Sequence, residues 1–256
     1  MVDDIDMGLT HIIRGGDHVT NTGAQIALFK ALGNSGPDFG HHNLLMDASG
    51  EGLSKRKGAL SIQSLREDGF EAMAVASLAT LIGTGQSVEA CATMGDLTGV
   101  FDPTKVSKSD AKFDVGELKA LSEKLIHEMS YESAQPRLKQ HQSDLGEQFW
   151  ETVKPNLSTI SDVSLWRDVV EGKFDKAELS SEDAAYVEAS ATELKELSWS
   201  DDVWSQWTNA LKAKTGRKGR ALFMPLRQAI TGQSHGPDMA SLLMLIGQEN
   251  TIRRLL

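Results

Sequence analysis

One basic stretch of the chain has the composition of a phosphate-binding loop. Residues 50–59 hold three consecutive cations, Lys55, Arg56 and Lys57, flanked by glycines, and they follow an apolar run at residues 44–46. Glycine lets a backbone approach a ligand closely, and each cation can donate charge-assisted hydrogen bonds worth about 1.5 to 3 kcal/mol. A solvent-exposed loop without a ligand can have the same composition, so the stretch needs support from other residues.

A second candidate is Arg14, which ends the apolar stretch at residues 9–14. The fork of a guanidinium suits bidentate recognition of a carboxylate, and the simpler alternative is a surface ion pair. Four histidines lie in the same part of the chain without the cysteine or carboxylate pattern of a metal site. They are His11, His18, His41 and His42. We therefore expect no metal bound by the protein itself.

A third candidate is a basic segment near the carboxyl terminus. Between Asp202 and Asp238 there is no acidic residue, although the chain has a net charge of −10. The segment contains Lys212, Lys214, Arg217, Lys218, Arg220 and Arg227. This segregation favours a surface that follows nucleic-acid phosphates, and the alternative is an ordinary basic helix end.

Two strands and a helix are expected to position Arg14 and the basic loop. Residues 9–14 and 39–46 have the pattern of short strands, and a helix is predicted from about Asn21 until Gly33 ends it. Short loops between them predict a parallel strand–helix–strand unit. Open α/β sheets bind ligands at the carboxyl ends of their strands, where Arg14 and the loop would both lie.

Beyond the basic loop the periodicity is helical. Residues 71–82 are apolar nearly all round, as in a buried helix, and residues 115–129 have one apolar face. No convincing strand follows. Five tryptophans lie in or beside helical patterns, where core packing is the simpler role and base stacking the alternative. They are Trp150, Trp166, Trp199, Trp204 and Trp207.

Composition limits the class of protein. The 256 residues are 40% hydrophobic, enough for real cores, and the single cysteine, Cys91, excludes an internal disulfide. No apolar run reaches the roughly 20 residues of a membrane helix, and the first residues are acidic, unlike a signal peptide. The net negative charge argues against a general nucleic-acid coat. We expect a cytoplasmic protein that binds neither DNA nor a membrane.

A single strand–helix–strand unit cannot cover both faces of a parallel sheet. The chain is therefore expected to begin in the middle of a fold. Self-association, or a separate amino-terminal chain, would cover the half-sheet.

Several ordered motifs resemble bacterial glutamyl-tRNA synthetase, a class I aminoacyl-tRNA synthetase. The run MGLTHIIRGGDH at residues 7–18 is similar to the family's MGITHVIRGEDH, and HHNLL at 41–45 with LSKRKGA at 53–59 is similar to its signature-loop segment. The runs VSKSDAKFD at 106–114 and GRALFMPLR at 219–227 resemble its stem-contact and anticodon-binding regions. The segment Lys105–Ser109 matches the general KMSKS pattern more literally, but we favour residues 52–56 because they follow the second predicted strand.

The resemblance implies ATP-dependent attachment of glutamate to tRNA through glutamyl-adenylate, with Mg²⁺ accompanying ATP. It implies that Arg14 holds glutamate and that backbone groups of Leu44 and Leu45 recognise adenine. Lys55 is the first choice for the phosphate contact, assisted by Arg56, while Ser54 shapes the loop. The basic segment would contact tRNA of glutamate or glutamine type.

The resemblance also implies a mainly helical fold in three parts. Residues 1–60 would be the second half of the nucleotide-binding α/β fold, 61–135 a stem-contact helical region, and 136–256 an all-helical anticodon-binding domain. Gly52 and Gly16 stand where the family has a lysine and an acidic residue, which puts full activity in question. The family's HIGH-motif half is expected before residue 1, so the chain alone would be catalytically incomplete. A tRNA-binding module without catalysis is the alternative.

Overall fold

The computed structural model describes residues 1–47, 50, 52 and 61–256. Its contacts divide the chain into two compact units, Met1–Leu125 and Ile126–Leu256. The prediction of a mainly helical chain with a partial α/β beginning is confirmed. The division into three parts at residues 60 and 135 stays a prediction.

The first unit begins with the predicted strand–helix–strand arrangement. After a short helix α1 (Val2–Asp6), strand β1 (His11–Gly15) is followed by helix α2 (Val19–Ala31) and strand β2 (Asp38–His42). The two strands are parallel, with Arg14 opposite His41. The short apolar runs, the short loops and the glycine that ends the helix were therefore sufficient to predict this strand–helix–strand order.

The predicted strand at residues 39–46 is wrong in extent, because the chain forms two strands there. Strand β2 ends at His42, and β3 (Leu45–Met46) pairs in parallel with a later strand, β4 (Ala111–Lys112). The prediction that the chain is purely helical beyond the basic loop is also wrong, because β4 lies there. Strands of two residues are too short to show a period of two, so the sequence pattern does not reveal them.

The described residues of the first unit form four further helices: α3 (Ile62–Glu67), α4 (Ala72–Leu81), α5 (Met94–Val100) and α6 (Val115–Glu128), which continues past Leu125. Leucines of α4 and α6 form its main core, with Leu78 and Leu118 fully buried. The amphipathic helix predicted at residues 115–129 is confirmed as α6, and the boundary between the two units falls within it.

The second unit, which the structure describes throughout, is entirely helical. Its helices are α7 (Tyr131–Gln140), α8 (Glu147–Val153), α9 (Val163–Glu171), α10 (Ser181–Lys195), α11 (Val203–Thr215), α12 (Arg220–Thr231), α13 (Met239–Ile246) and α14 (Gln248–Leu255). Trp150 and Trp207 are fully buried in its core. Each donates its indole N–H to a backbone carbonyl, of Met129 at 3.0 Å and of Ser190 at 2.9 Å.

Core packing was the simpler role predicted for the five tryptophans, and three of them are buried while two are half-buried. Trp150, Trp166 and Trp207 are buried, whereas Trp199 and Trp204 are half-buried against the same core. Among the described residues, no helix is both long and apolar enough to cross a membrane.

Candidate functional site

Arg14 lies near the carboxyl end of β1 with part of its guanidinium still unused. Its Nη2 donates to Thr22 Oγ1 at 2.8 Å and to the side-chain oxygen of Gln25, and its guanidinium carbon lies 5.2 Å from the centre of the Phe39 ring. These contacts fix the side chain. Its Nε is buried and has no hydrogen-bond partner among the described residues, so one donor of this arginine is not satisfied by them.

A cavity of about 660 Å³ lies at the carboxyl ends of β1 and β2. Its lining is Gly16, Asp17, Val19, His41, His42, Asn43, Leu44, Lys108 and Asp110. Arg14 is outside this lining but is connected to it, because Thr22 contacts both Arg14 and the Nε2 of His41, the latter at 2.8 Å. The structure therefore places Arg14 and Leu44 at one edge of the sheet, as the parallel arrangement requires.

The backbone of Leu44 is fully used within the chain. Its N–H donates to Asp110 Oδ1 at 3.2 Å, and its C=O accepts from the Ala111 N–H at 2.9 Å. Because successive residues of a strand direct their backbone groups to opposite sides, the N–H and C=O of Leu45 point away from β4. Of the two leucines, Leu45 is therefore the one whose backbone groups do not pair with β4, and they face the side of β3 on which Gly52 bridges Met46.

The predicted phosphate-binding residues Ser54, Lys55 and Arg56 lie outside the residues that the structure describes. Next to them, Gly52 forms an isolated antiparallel bridge with Met46. This bridge brings the start of the basic stretch back to the end of β3.

Lys108 and Asp110 belong to the cavity but were not predicted as site residues. Lys108 lies in the segment Lys105–Ser109, which matches the general signature pattern but was not favoured as the signature loop, and Asp110 directly follows this segment. The pairing of β3 with β4 carries them to Leu44, from which Asp110 is separated by 66 positions in the chain. The literal match of Lys105–Ser109 was the only signal in the sequence, and it does not indicate a location.

Two cations of the basic segment are engaged by acidic residues of α10. Lys214 forms an ion pair with Glu193, and Arg217 contacts Asp183 at 2.5 Å and Glu182 at 2.8 Å. The hydrogen bond that Arg217 donates to Asp183 lowers the pKa of Asp183 and raises the pKa of Arg217. Residues 203–237 contain no acidic residue, but acidic side chains from another helix still form ion pairs with cations of this segment.

The remaining cations of the segment differ in exposure. Arg227 is half-buried, donates to the Pro237 carbonyl at 3.0 Å and has a pKa lowered by burial. Lys212, Lys218 and Arg220 are exposed and have no ion pair or hydrogen bond among the described residues. These three side chains carry the available positive charge of the segment.

Comparison with models of protein families shows which family the chain belongs to. A model described as tRNA synthetases class I (E and Q), catalytic domain, matches residues 1–120, and a model described as anticodon binding domain matches residues 130–256. The chain belongs to the class I tRNA synthetases of the E and Q group. The resemblance found in the sequence is thereby confirmed.

Curated relatives agree with this family. Glutamate–tRNA ligase 1 of Brucella ovis and of Brucella suis (strain ATCC 23445) are each 56% identical to the chain over 261 residues. Each match covers 99% of this chain and 56% of the relative. The chain therefore spans a little over half the length of these class I synthetases.

A solved structure shows the same fold. A glutamate tRNA ligase from Elizabethkingia meningosepticum, crystallised in complex with its amino acid, superimposes with a TM-score of 0.78. The match covers 99% of this chain and 57% of that chain, at 23% sequence identity.

Proposed function

We propose that the chain takes part in the ATP-dependent attachment of glutamate to tRNA. In the first step a carboxylate oxygen of glutamate attacks the α-phosphate of ATP, which forms glutamyl-adenylate and releases pyrophosphate. In the second step a ribose hydroxyl at the end of tRNA attacks the activated carbonyl, which releases AMP. Because the substrate carboxylate is itself the nucleophile, catalysis depends on positioning and on neutralising phosphate charge.

The observation that carries this proposal is the arrangement around Arg14. A guanidinium held by Thr22 and Gln25 lies at the strand edge near the cavity, and its Nε has no hydrogen-bond partner among the described residues, so this arginine is the candidate donor to the substrate carboxylate. Leu45 directs its backbone groups away from β4 and can recognise adenine. We assign the phosphate contact to Lys55, with Ser54 and Arg56 beside it, and Mg²⁺ to the ATP phosphates.

A glutamyl-adenylate analogue that cannot be hydrolysed tests this assignment on the 256-residue chain. It occupies the glutamate and adenine positions together, so calorimetric titration should detect binding. Arg14→Lys should weaken binding about tenfold or more, because the amine cannot replace a bidentate fork. Arg66→Lys, an exposed arginine of the same unit, is the matched control and should leave binding unchanged. Equal binding by the Arg14 and Arg66 variants would contradict the role of Arg14.

We further propose that the second unit binds tRNA through Lys212, Lys218 and Arg220. Lys214, Arg217 and Arg227 contribute less to this contact because their side chains are engaged within the unit. Filter binding of tRNA at two salt concentrations should show a steep loss of affinity with salt. Replacing the three exposed cations by glutamine should reduce the slope of log K against log salt by about 2 to 3.

A tRNA-binding module without catalysis is the second candidate, favoured by Gly16 and Gly52 at positions where the resemblance implies charged side chains. Both candidates predict little or no ATP–pyrophosphate exchange by this chain alone, because the chain spans only 56% of the ligases that it matches. Binding of the glutamyl-adenylate analogue separates them. Analogue binding that Arg14→Lys weakens supports a part in catalysis, whereas tRNA binding without analogue binding supports the module. A cytoplasmic location, and the choice between glutamate and glutamine tRNA, remain part of this proposal.

A further inference from the structure

The half-buried Trp204 of α11 and the exposed Phe223 of α12 form an aromatic pair, which we call the aromatic shelf. Their ring centroids are 6.1 Å apart and their planes are inclined by 38°. Phe223 is 42% exposed. The structure describes all of Ile126–Leu256, and every other aromatic side chain in this range is buried or half-buried. Trp204 is half-buried. An exposed ring on a well-packed helical unit is a candidate contact surface.

A buried tryptophan holds the aromatic shelf in place. Trp204 packs edge-on against the buried Trp207, with ring centroids 5.7 Å apart. Trp207 is in turn fixed by its hydrogen bond to the Ser190 carbonyl at 2.9 Å. Because the underlying ring cannot rotate freely, little conformational entropy is lost when a flat ligand binds on the shelf.

The two helices that carry the shelf have a positive net charge, and the acidic residues nearest to Trp204 in the chain, Asp201 and Asp202, precede α11. Arg220 and Arg227 lie three residues before and four residues after Phe223, so all three share one face of α12. Arg220 is exposed and unpaired among the described residues, and no acidic residue occurs in α11 or α12. The nearby acids of α10 are already paired with Lys214 and Arg217. The shelf thus combines an aromatic face with a free cation one turn away.

We propose that the aromatic shelf stacks an unpaired nucleobase from a single-stranded loop of tRNA, while Arg220 contacts a flanking phosphate. This inference rests on the proposed tRNA function and names a contact within it. Every base has a flat π-face, and stacking on an aromatic side chain stabilises a single strand without requiring sequence readout. A cation beside the ring supplies the phosphate contact that positions the strand.

A protein partner or a second copy of the chain would also cover an exposed ring. A cation beside the ring is not required for contact with either of these. It is favourable for RNA, because each nucleotide carries a negatively charged phosphate beside its base. Charge complementarity therefore favours RNA as the occupant.

The test measures binding of the full 256-residue chain to two probes, tRNA and an RNA duplex without unpaired bases. Phe223→Leu keeps an apolar side chain but removes the π-face, so it should weaken tRNA binding by about tenfold without changing the salt slope. Duplex binding should not change. Phe223→Tyr, which keeps the ring, should stay within about twofold of the unsubstituted chain. Leu145→Ala, at another exposed apolar residue of the same unit, is the control and should leave both affinities unchanged.

Arg220→Gln should behave differently from Phe223→Leu. It should lower the magnitude of the salt slope by about 1, as expected for one lost phosphate contact. The melting temperature of each variant should match that of the unsubstituted chain.

Each contrary result has a separate meaning. Salt-dependent tRNA binding that Phe223→Leu leaves unchanged would overturn the shelf and leave the proposed tRNA function standing. An equal loss for tRNA and duplex would also overturn it, because the ring would then act without an unpaired base. Absence of any tRNA binding by the unsubstituted chain would overturn both proposals.

Discussion

Arg217, which follows α11, contacts two other helices of the second unit, α10 and α12, with one guanidinium. It pairs with Asp183 and Glu182 of α10, donates to the Ala221 carbonyl at 3.1 Å and lies 4.4 Å from the centre of the Tyr186 ring. The Ala221 carbonyl needs this donor, because Pro225, four residues later, has no N–H to complete the helical hydrogen bond. Arg217 therefore stabilises a proline-containing helix in addition to any contact with tRNA.

The Asp183–Arg217 pair predicts a pH dependence of stability. The hydrogen bond from Arg217 holds the pKa of Asp183 below its ordinary value. The resulting stabilisation is present above the unfolded pKa of about 3.9 and is lost as pH falls through the lower folded pKa. The free energy of unfolding in urea should differ between the unsubstituted chain and Asp183→Asn at pH 6, and the difference should shrink below pH 3.

Glu188→Gln is the matched control for this experiment, since Glu188 is an exposed carboxylate on the same helix. Its effect on unfolding should be small, within about 0.5 kcal/mol. A difference for Asp183→Asn that stays constant from pH 6 to pH 2 would show that the ion pair does not cause it.

Gly52 lies in open space among the described residues. A side-chain carbon there would have no described neighbour within 4 Å, and the backbone φ is not positive. Gly52→Lys should therefore leave the melting temperature unchanged and raise the affinity for pyrophosphate, measured by calorimetry, because it adds a cation to the basic loop. Gly50→Lys adds the same charge at a residue with φ of 82° and should lower the free energy of unfolding by about 1 kcal/mol. Equal melting temperatures for the two variants would contradict this account.

At the scale of elements, the segment between α12 and α13 depends on one close approach to α9. Gly236 has a φ of 138°, and a Cβ added there would lie 1.9 Å from Cη2 of Trp166. Trp166 is itself buried, with 3% of its surface exposed. The indole ring and the glycine backbone therefore occupy adjoining space that no larger residue can share.

Gly236→Ala should destabilise the second unit by about 2 kcal/mol or more, because both the backbone conformation and the packing oppose a side chain. Gly216→Ala is the control, with a φ of 68° but no neighbour within 4 Å, and should cost only about 1 kcal/mol. Urea unfolding measures both. Equal effects of the two substitutions would mean that contact with Trp166 adds nothing.

At the scale of the whole molecule, the first unit exposes several large apolar side chains on β1 and α2. Ile13 is 75% exposed, and Val19, Leu28 and Leu32 are each more than half exposed. An apolar surface of this kind favours association. Covering it by a second copy is consistent with the self-association expected from the incomplete sheet.

We therefore expect the 256-residue chain to self-associate as its concentration rises, in sedimentation velocity experiments. Ile13→Lys should shift the distribution toward monomer, because a charge on the buried surface must lose its hydration. Ile62→Lys is the control, since Ile62 is 65% exposed on α3 of the same unit. A monomer at every concentration, before and after substitution, would contradict the prediction.

Sequence patterns predicted the elements that have their own periodicity. The apolar spacing of α6, the strand ending at Arg14 and the glycine that follows α2 were enough to locate these elements. They were not enough to locate β3 and β4, because a two-residue strand has no pattern and forms only when its partner is present. The cavity depends on that pairing, so Lys108 and Asp110 could not be assigned to it beforehand.

The sequence by itself determined the family, the mainly helical architecture and the candidate residues, because long ordered motifs and local periodicity are properties of the chain. Tertiary structure decided which candidate charges remain available. Glu193 lies 21 positions from Lys214, and Asp183 lies 34 positions from Arg217, yet both pairs form. Electrostatic pairing acts through space over a few ångströms, so the free cations could be identified only after the helices had packed.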